Sequence, residues 1–313
     1  MQGRSPAHQH PAGVRGLSLL AELERQPDVF PDRINLDGSR LATLPDVLKR
    51  CLNAAVFSVY DNALTAVPDW LWHFEQLRTL NLSANRLSAV SEHLGRLTRL
   101  EMLDLGHNAL QNLPDAFADL QRLAFLYLSN NRLKALPDSL QQAQALHSLN
   151  VTDNAFVQLP TWLGDLESLT ELRLYDNALV ALPDTIGGLT RLRELHAMNN
   201  RLERLPGSLT SCAGLQKLTL QNNKLTSLPQ DIGRLTALTE LDLRFNELAA
   251  LPASVADLHH LRFLDLRANA LTSLPEGLAA LPELEKLDLR WNRLTHLPAA
   301  FQELAERGCL IYS

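Results

Sequence analysis

The chain has 313 residues, of which 46% are hydrophobic and only 5% aromatic, and its net charge of −6 comes from well-mixed acidic and basic residues. Phosphate backbones favour basic surfaces, so this charge argues against nucleic acid as the main partner. No run approaches the roughly 18 consecutive apolar residues of a membrane span, so no membrane partner is expected.

The N-terminal region is predicted to consist of a disordered segment followed by a helix. Residues 1–16 contain no apolar run, so we expect a disordered segment without a secretory signal peptide. An amphipathic capping helix is predicted over 17–30, because apolar residues cluster at positions 17, 19, 20 and 23 and Ser18 can serve as the N-cap. We expect this helix to cover the first unit of the repeat that follows.

Residues 31–300 repeat one pattern with a period of 23 residues. The pattern reads LxxLxLxxNxLxxLPxxLxxLxx and occurs in twelve copies without an insertion or deletion. Its asparagine is Asn62, Asn85, Asn108, Asn131, Asn154, Asn177, Asn200, Asn223, Asn246, Asn269 or Asn292, and Ser39 takes that position in the first copy. A repeat this regular predicts a stack of equivalent coils.

The letters of one repeat predict its local structure. Leu241 and Leu243 alternate with charged residues, as in a β-strand with one buried face. The amide of Asn246 can donate and accept hydrogen bonds between adjacent coils, and Ser39 can do so more weakly in the first coil. Pro252 suits the start of the return segment because it has no amide hydrogen to lose. One coil cannot bury its leucines alone, so stacked coils must share a core.

This pattern resembles the leucine-rich repeat family, most closely the intracellular class found in bacterial effectors, Ras-group proteins and Roco proteins. The resemblance implies an α/β solenoid, which is a curved right-handed superhelix with a parallel β-sheet on its concave face and short helical or extended convex segments. Residues 301–313 are predicted to form a C-terminal cap, with a helix that ends at Gly308 and a short strand containing Leu310 and Tyr312.

The three cysteines predict buried thiols rather than disulfides. Their number is odd and their spacing is unpaired, which favours a reducing compartment. Cys51 and Cys212 occupy a repeat position that is otherwise mostly leucine, so we expect both side chains in the core.

No catalytic motif, phosphate-binding glycine loop or paired metal-ligand motif occurs in the sequence. His196 can lie near Glu194 and Glu171 on the concave face, but such residues are also common on any exposed strand. We therefore predict no enzyme activity, no cofactor and no metal site.

The variable strand positions carry the functional prediction, and they lie six, four, two and one residues before each asparagine. Trp, Tyr and Arg dominate interface energetics, so their clusters predict a partner-binding surface on the concave face. The first-choice cluster is Arg244, Phe245, Phe263, Arg267, Arg290 and Trp291, and the second-choice cluster is Phe125, Tyr127, Tyr175, His196 and Met198. Two alternatives remain open. The arginines can form a self-neutralising ladder with Asp242, Asp265 and Asp288, and Trp291 can shield the C-terminal cap.

These features together predict a monomeric cytoplasmic scaffold that binds a protein partner through its concave face. The alternative is a bacterial effector that is delivered into a host cell, where it binds a host signalling protein and uses the N-terminal segment as its export signal.

Overall fold

The structure, a computed structural model, describes residues 11–313. The predicted disordered segment therefore lies largely outside the described residues, apart from positions 11–16, which are helical. No helix within the described range is long and apolar enough to cross a bilayer.

Helix α1 spans Pro11–Arg25, so it begins earlier than the predicted helix and ends before residue 30. Ser18 lies inside this helix and is not its N-cap. Proline is favoured in the first helical turn because its φ angle is already helical. Gly13 and Gly16 are buried against the first coil, where a Cβ atom on either would collide with backbone or side-chain atoms. The absence of these side chains lets α1 lie directly on that coil.

The coils each contribute a strand of three residues, and the described residues contain thirteen strands in all. They are β1 (Arg33–Asn35), β2 (Val56–Ser58), β3 (Thr79–Asn81), β4 (Met102–Asp104), β5 (Phe125–Tyr127), β6 (Ser148–Asn150), β7 (Glu171–Arg173), β8 (Glu194–His196), β9 (Lys217–Thr219), β10 (Glu240–Asp242), β11 (Phe263–Asp265), β12 (Lys286–Asp288) and β13 (Leu310–Tyr312). The central residue of each strand points inward, and its neighbours form the outer surface of the sheet, which we call the strand face.

The chain divides into two compact units. The first contains the chain up to Leu133 together with Pro137–Ala143, and the second contains Lys134–Leu136 and Gln144–Ser313. Within the first unit β1 to β5 pair in parallel and in chain order, and within the second β6 to β13 do the same. Each unit is thus a solenoid with a parallel sheet, which confirms the predicted fold class.

The return segments are short 3₁₀ helices opposite the strands. They span Asp46–Arg50, Asp69–His73, Glu92–Arg96, Asp138–Gln142, Thr161–Asp165, Asp184–Gly188, Gly207–Ser211, Ile232–Arg234, Ala253–Asp257 and Glu276–Ala280. Pro252 precedes one of them with φ −67°, as the proline in most repeats does. Ser91 replaces the proline in one repeat, where its hydroxyl oxygen accepts a hydrogen bond from the backbone N–H of His93 at 3.2 Å.

The repeated leucines form the core of each unit. Leu241 and Leu243 are almost fully buried, and the equivalent leucines of the other coils are buried in the same way. Cys51 and Cys212 are also buried at the leucine position, as predicted. Burial raises the pKa of both thiols, that of Cys212 to about 11, which keeps them protonated at neutral pH.

The asparagine ladder joins neighbouring coils through buried hydrogen bonds. The Asn246 Oδ1 atom accepts from the backbone N–H of Leu225 at 3.0 Å, and Nδ2 donates to the carbonyls of Leu220 and Leu243 at 3.0 and 2.9 Å. Ser39 differs, because its hydroxyl donates to the Gly13 carbonyl of α1 at 3.5 Å. The first coil is therefore joined to the helix rather than to another coil at this position.

At the C-terminal end, helix α2 (Ala300–Glu306) buries Phe301 and Leu304. Gly308 follows with φ +102°, a conformation that glycine adopts without steric cost. Strand β13 then pairs with β12, with Ile311 beside Leu287.

Candidate functional site

The residue before each ladder asparagine lies in a turn rather than in a strand. It has φ between 51° and 63°, which is the left-handed region, in the eleven asparagine coils and also in the first coil, where Gly38 precedes Ser39. Asn, Asp and His tolerate this conformation best, and they fill seven of the twelve positions. Phe245 and Trp291, which the sequence analysis placed among the strand positions, occupy this left-handed turn instead.

The two aromatic residues at this turn form an exposed pair. A side chain in the left-handed region costs about 1–2 kcal/mol, and bulky residues are rare there. Phe245 is 48% exposed and Trp291 is 66% exposed, so core packing does not offset that cost. Their ring centroids lie 6.4 Å apart, with the small side chain of Ala268 in the coil between them. We call Phe245, Ala268 and Trp291 the aromatic ledge.

A charge ladder runs beside the ledge and consists of Asp242, Asp265, Asp288, Arg244, Arg267 and Arg290. Arg267 bonds to Asp265 of its own coil at 2.6 Å and approaches Asp288 of the next coil at 3.4 Å. Arg290 bonds to Asp288 at 2.6 Å. The self-neutralising ladder considered in the sequence analysis is therefore present. Arg267 contributes to this framework, and its side chain is only 19% exposed.

The aspartates at the two ends of this ladder have pKa values shifted in opposite directions. Burial favours a raised pKa for Asp288, but the hydrogen bonds and charges of Arg290 and Arg267 outweigh it and hold the pKa below its usual value. Burial raises the pKa of Asp242 to about 6, although Arg244 and Arg267 oppose the shift. The difference arises because Arg267 also reaches Asp288, the aspartate of the following coil. The coil before Asp242 has Gln221 at the arginine position, so Asp242 has an uncharged amide as its neighbour where Asp288 has a second arginine.

The remaining first-choice residues lie on the same strand face of the second unit. Phe263 is 39% exposed on β11, and the Arg262 guanidinium lies 5.4 Å from its ring centroid. The Arg290 side chain is 41% exposed, whereas Arg244 is 33% exposed and held by Asp242 at 3.2 Å. The exposed part of the cluster is therefore mainly aromatic, with Arg290 as its most accessible cation.

Tyr312 belongs to this surface, although the sequence analysis assigned it only to the closing strand. It is 40% exposed, and the Arg290 guanidinium lies 5.1 Å from its ring centroid. The alternation in Leu310, Ile311 and Tyr312 was the available signal, because Ile311 must point inward if its neighbours point outward.

The second-choice cluster is divided between the two units. Phe125 and Tyr127 lie on β5 of the first unit, where Phe125 is 41% exposed. Tyr175, His196 and Met198 lie in the second unit and are all partly buried. Each part must therefore be considered as a separate surface.

His196, Glu194 and Glu171 do come together, with potential ligand atoms within 4.8 Å of one another. His196 contacts Glu194 at 3.1 Å and the Thr219 hydroxyl at 2.9 Å, so both ring nitrogens have partners. Glu171 is bound by Arg173 at 2.6 Å. Burial acts to raise the Glu171 pKa, but this hydrogen bond and one from Ser148 lower it overall. The cluster thus forms a satisfied polar network.

The strand, asparagine turn and 3₁₀ return of each coil define a leucine-rich repeat protein. The family model for the leucine-rich repeat matches residues 76–133, 144–202, 213–271 and 259–306, and the chain belongs to this family. A search of curated protein sequences gave no match.

Solved structures of the same fold cover nearly the whole chain. A leucine-rich repeat protein of Leptospira interrogans is 28% identical, with a TM-score of 0.62 and coverage of 88% of this chain and 82% of its own. An internalin of Listeria monocytogenes is 19% identical, with a TM-score of 0.72 and coverage of 97% and 96%. The repeat domain in a complex of FLRT2 with latrophilin 3 and Unc5D is 23% identical, with a TM-score of 0.71 and coverage of 88% and 86%.

Proposed function

We propose that this protein is a non-catalytic scaffold that binds a protein partner through the strand face formed by β10 to β13. The observation that carries the proposal is the pair of exposed aromatic residues in strained left-handed turns. Strained backbone positions cluster at functional sites. Phe245 and Trp291 hold large exposed side chains at such positions, and Phe263, Arg290 and Tyr312 extend the same surface.

The composition of this surface supports a protein partner. Aromatic residues and arginine are the side chains that contribute most to binding energy at protein interfaces. Similarity of fold to FLRT2, whose structure is a complex with two other proteins, fits the same kind of function. The exposure of Trp291 argues against a role in shielding the cap, because a side chain that is 66% exposed covers little of the protein beneath it.

The test is affinity capture with a double variant, Phe245→Asn with Trp291→Asn, followed by measurement of affinity for the captured partner. Asparagine accepts the left-handed turn, so the substitution removes the rings without adding backbone strain. We expect affinity to fall by about thirtyfold or more, because an aromatic anchor can contribute 2 kcal/mol or more, and we expect no loss of thermal stability.

The matched control is His107→Asn, at the same turn position of the first unit, where φ is +53°. It should bind the partner as the wild type does. Capture that is unchanged in the double variant, or lost equally in the control, would contradict the proposed site.

We also propose a second candidate, an effector that is delivered into a host cell and binds a host signalling protein there. The resemblance of the repeat to the class that includes bacterial effectors favours it. Three buried cysteines without disulfides support action in a reducing cytoplasm, whether of the producing cell or of a host. Fusion of residues 1–30 to a reporter tests delivery, and a reporter that never leaves the producing cell would argue for the housekeeping scaffold.

A further inference from the structure

We infer that the partner binds β10 to β12 with an extended segment in which a carboxylate side chain is flanked by large apolar side chains. This inference rests on the proposed function and specifies the chemistry of the partner at the same surface. Three features of the charge ladder and its borders lead to it.

The first feature is the orientation of the guanidinium groups. Arg267 donates from Nε and Nη2 to Asp265, and Arg290 donates in the same way to Asp288, with distances between 2.6 and 3.1 Å. The Nη1 atom of either arginine has no hydrogen-bond partner among residues 11–313. Each aspartate thus fixes its arginine and leaves one nitrogen able to donate to a ligand.

The second feature is the depth of the charges. The Asp288 side chain is fully buried while that of Arg290 is 41% exposed, and Asp242 is 14% exposed against 33% for Arg244. Solvent therefore meets the guanidinium of Arg290 rather than the carboxylate beneath it. A shallow depression of about 280 Å³ lies beside this pair and is lined by Arg244, Arg267 and Lys286 and by the acids Glu240, Asp242 and Asp265. A single carboxylate complements the exposed Arg290, whereas a doubly charged phosphate would meet stronger repulsion from these acids.

The third feature is the apolar border on both sides of the arginine row. Phe263 lies on one side of the arginine row and the aromatic ledge on the other. Within this coil the ledge residue is Ala268, five positions after Phe263. At about 3.3 Å per residue the separation is at most roughly 16 Å, because the strand ends at Asp265 and the chain turns at Ala268, and an extended peptide of up to about five residues spans it. An acidic residue over the arginines would then have apolar neighbours over Phe263 and over the ledge.

The experiment selects short random peptides, displayed on phage, against the full chain. We expect enrichment of peptides in which aspartate or glutamate lies between Phe, Trp, Leu or Ile residues. Replacement of the acid by its amide in a selected synthetic peptide should weaken binding about tenfold or more, because a charge-assisted hydrogen bond is lost. Raised salt should weaken binding further.

Protein variants provide the matching test. Arg290→Gln should weaken the selected peptide about as much as the amide does, and the two changes together should add little more. Arg234→Gln, the same substitution on the return side of the same unit, should have no effect, since Arg234 is 67% exposed and lies on a 3₁₀ helix. Urea unfolding checks that each variant is folded, and the amide peptide keeps the test valid if Arg290→Gln is not.

Three results would overturn the inference. They are selected peptides that lack acidic residues, amide analogues that bind as well as the acids, and a clear preference for a phosphorylated analogue. A failure to select any peptide would likewise exclude an extended segment as the occupant. If captured protein partners still depend on Phe245 and Trp291 in any of these cases, the scaffold function stands and only the acidic segment fails.

Discussion

Asp242 and Asp288 occupy the same position of the repeat, and their substitution by asparagine should have opposite effects on stability. Asp242→Asn removes a carboxylate whose pKa is raised to about 6 by burial. Relative to an exposed aspartate at about 3.9, this pKa corresponds to about 3 kcal/mol of cost for the charged form. The side chain keeps 14% exposure and contacts Arg244, so we expect a gain of about 1–2 kcal/mol in unfolding free energy at about pH 7.5.

The pH dependence follows from the sign of this shift. A carboxylate with a raised folded-state pKa binds its proton more tightly in the folded protein, so its stability contribution falls as pH rises from about 4 to about 6. At about pH 4.5 Asp242 is mainly protonated in the folded state. The unfolding free energy of the wild type should therefore rise most of the way to that of Asp242→Asn. The advantage of Asp242→Asn over the wild type should shrink by about two-thirds between these two pH values.

Asp288→Asn should behave in the opposite way. Its lowered pKa means that the charged form stabilises the fold above the unfolded pKa, and this contribution is lost only as pH falls through the folded value. Loss of the bonds to Arg290 and Arg267 should cost about 1.5–3 kcal/mol at about pH 7.5, and most of that loss should persist at about pH 4.5.

The assay is urea unfolding followed by circular dichroism at both pH values, with each variant compared with the wild type at the same pH so that other titrations cancel. A destabilised Asp242→Asn at about pH 7.5 would refute the reasoning that the ladder leaves this carboxylate short of a second arginine. Equal signs for the two variants would do the same.

The other predictions concern the core, the thiols and the ledge. Asn246→Ala should lower the unfolding free energy by about 2–4 kcal/mol in urea, because it leaves buried groups of Leu225, Leu220 and Leu243 unpaired, whereas Asn35→Ala on the exposed strand face should cost far less. Cys51 and Cys212 should react with a thiol reagent only after unfolding, and rapid native labelling would contradict their core position. Trp291→Asn should melt at or above the wild-type temperature, because relief of strain outweighs the loss of an exposed ring, and a much lower melting temperature would show that the ring caps the solenoid.

The repeat made the fold predictable, since each asparagine and leucine recurs in a position that only stacked coils satisfy. The pairing of Arg267 with Asp265 was also accessible from sequence, because residues two apart on a strand share a face. The burial of this pair was not, and it makes Arg267 part of the framework rather than a free contact residue. The start of α1 was missed because residues 11–16 contain no apolar run, and the contact of Gly13 and Gly16 with the first coil is visible only in the structure.

The left-handed turn was the hardest feature to predict from the sequence, although Asn, Asp and His, which favour this conformation, occupy most of its positions. The residue before each asparagine breaks the alternation of inward and outward side chains. A strict period of two therefore placed it wrongly in the strand. The structure shows that Phe245 and Trp291 are not ordinary exposed strand residues. They are held in a backbone conformation that their size disfavours.

Within the second unit, polar and aromatic residues occupy the same turn position in different coils. At the turn position of preceding coils, Asn199 donates to Asp176 at 2.7 Å and Asn222 donates to Asn199 at 3.0 Å, so polar residues there favour the backbone conformation and also link coil to coil. Phe245 follows Asn222 in this row and gives up both contributions, and Trp291 does so again two coils later. The backbone is the same, so the difference is confined to the side chains. In the proposed function a bound partner supplies the missing contacts, and this is why the ledge, rather than the amide row, is the surface where binding should be sought.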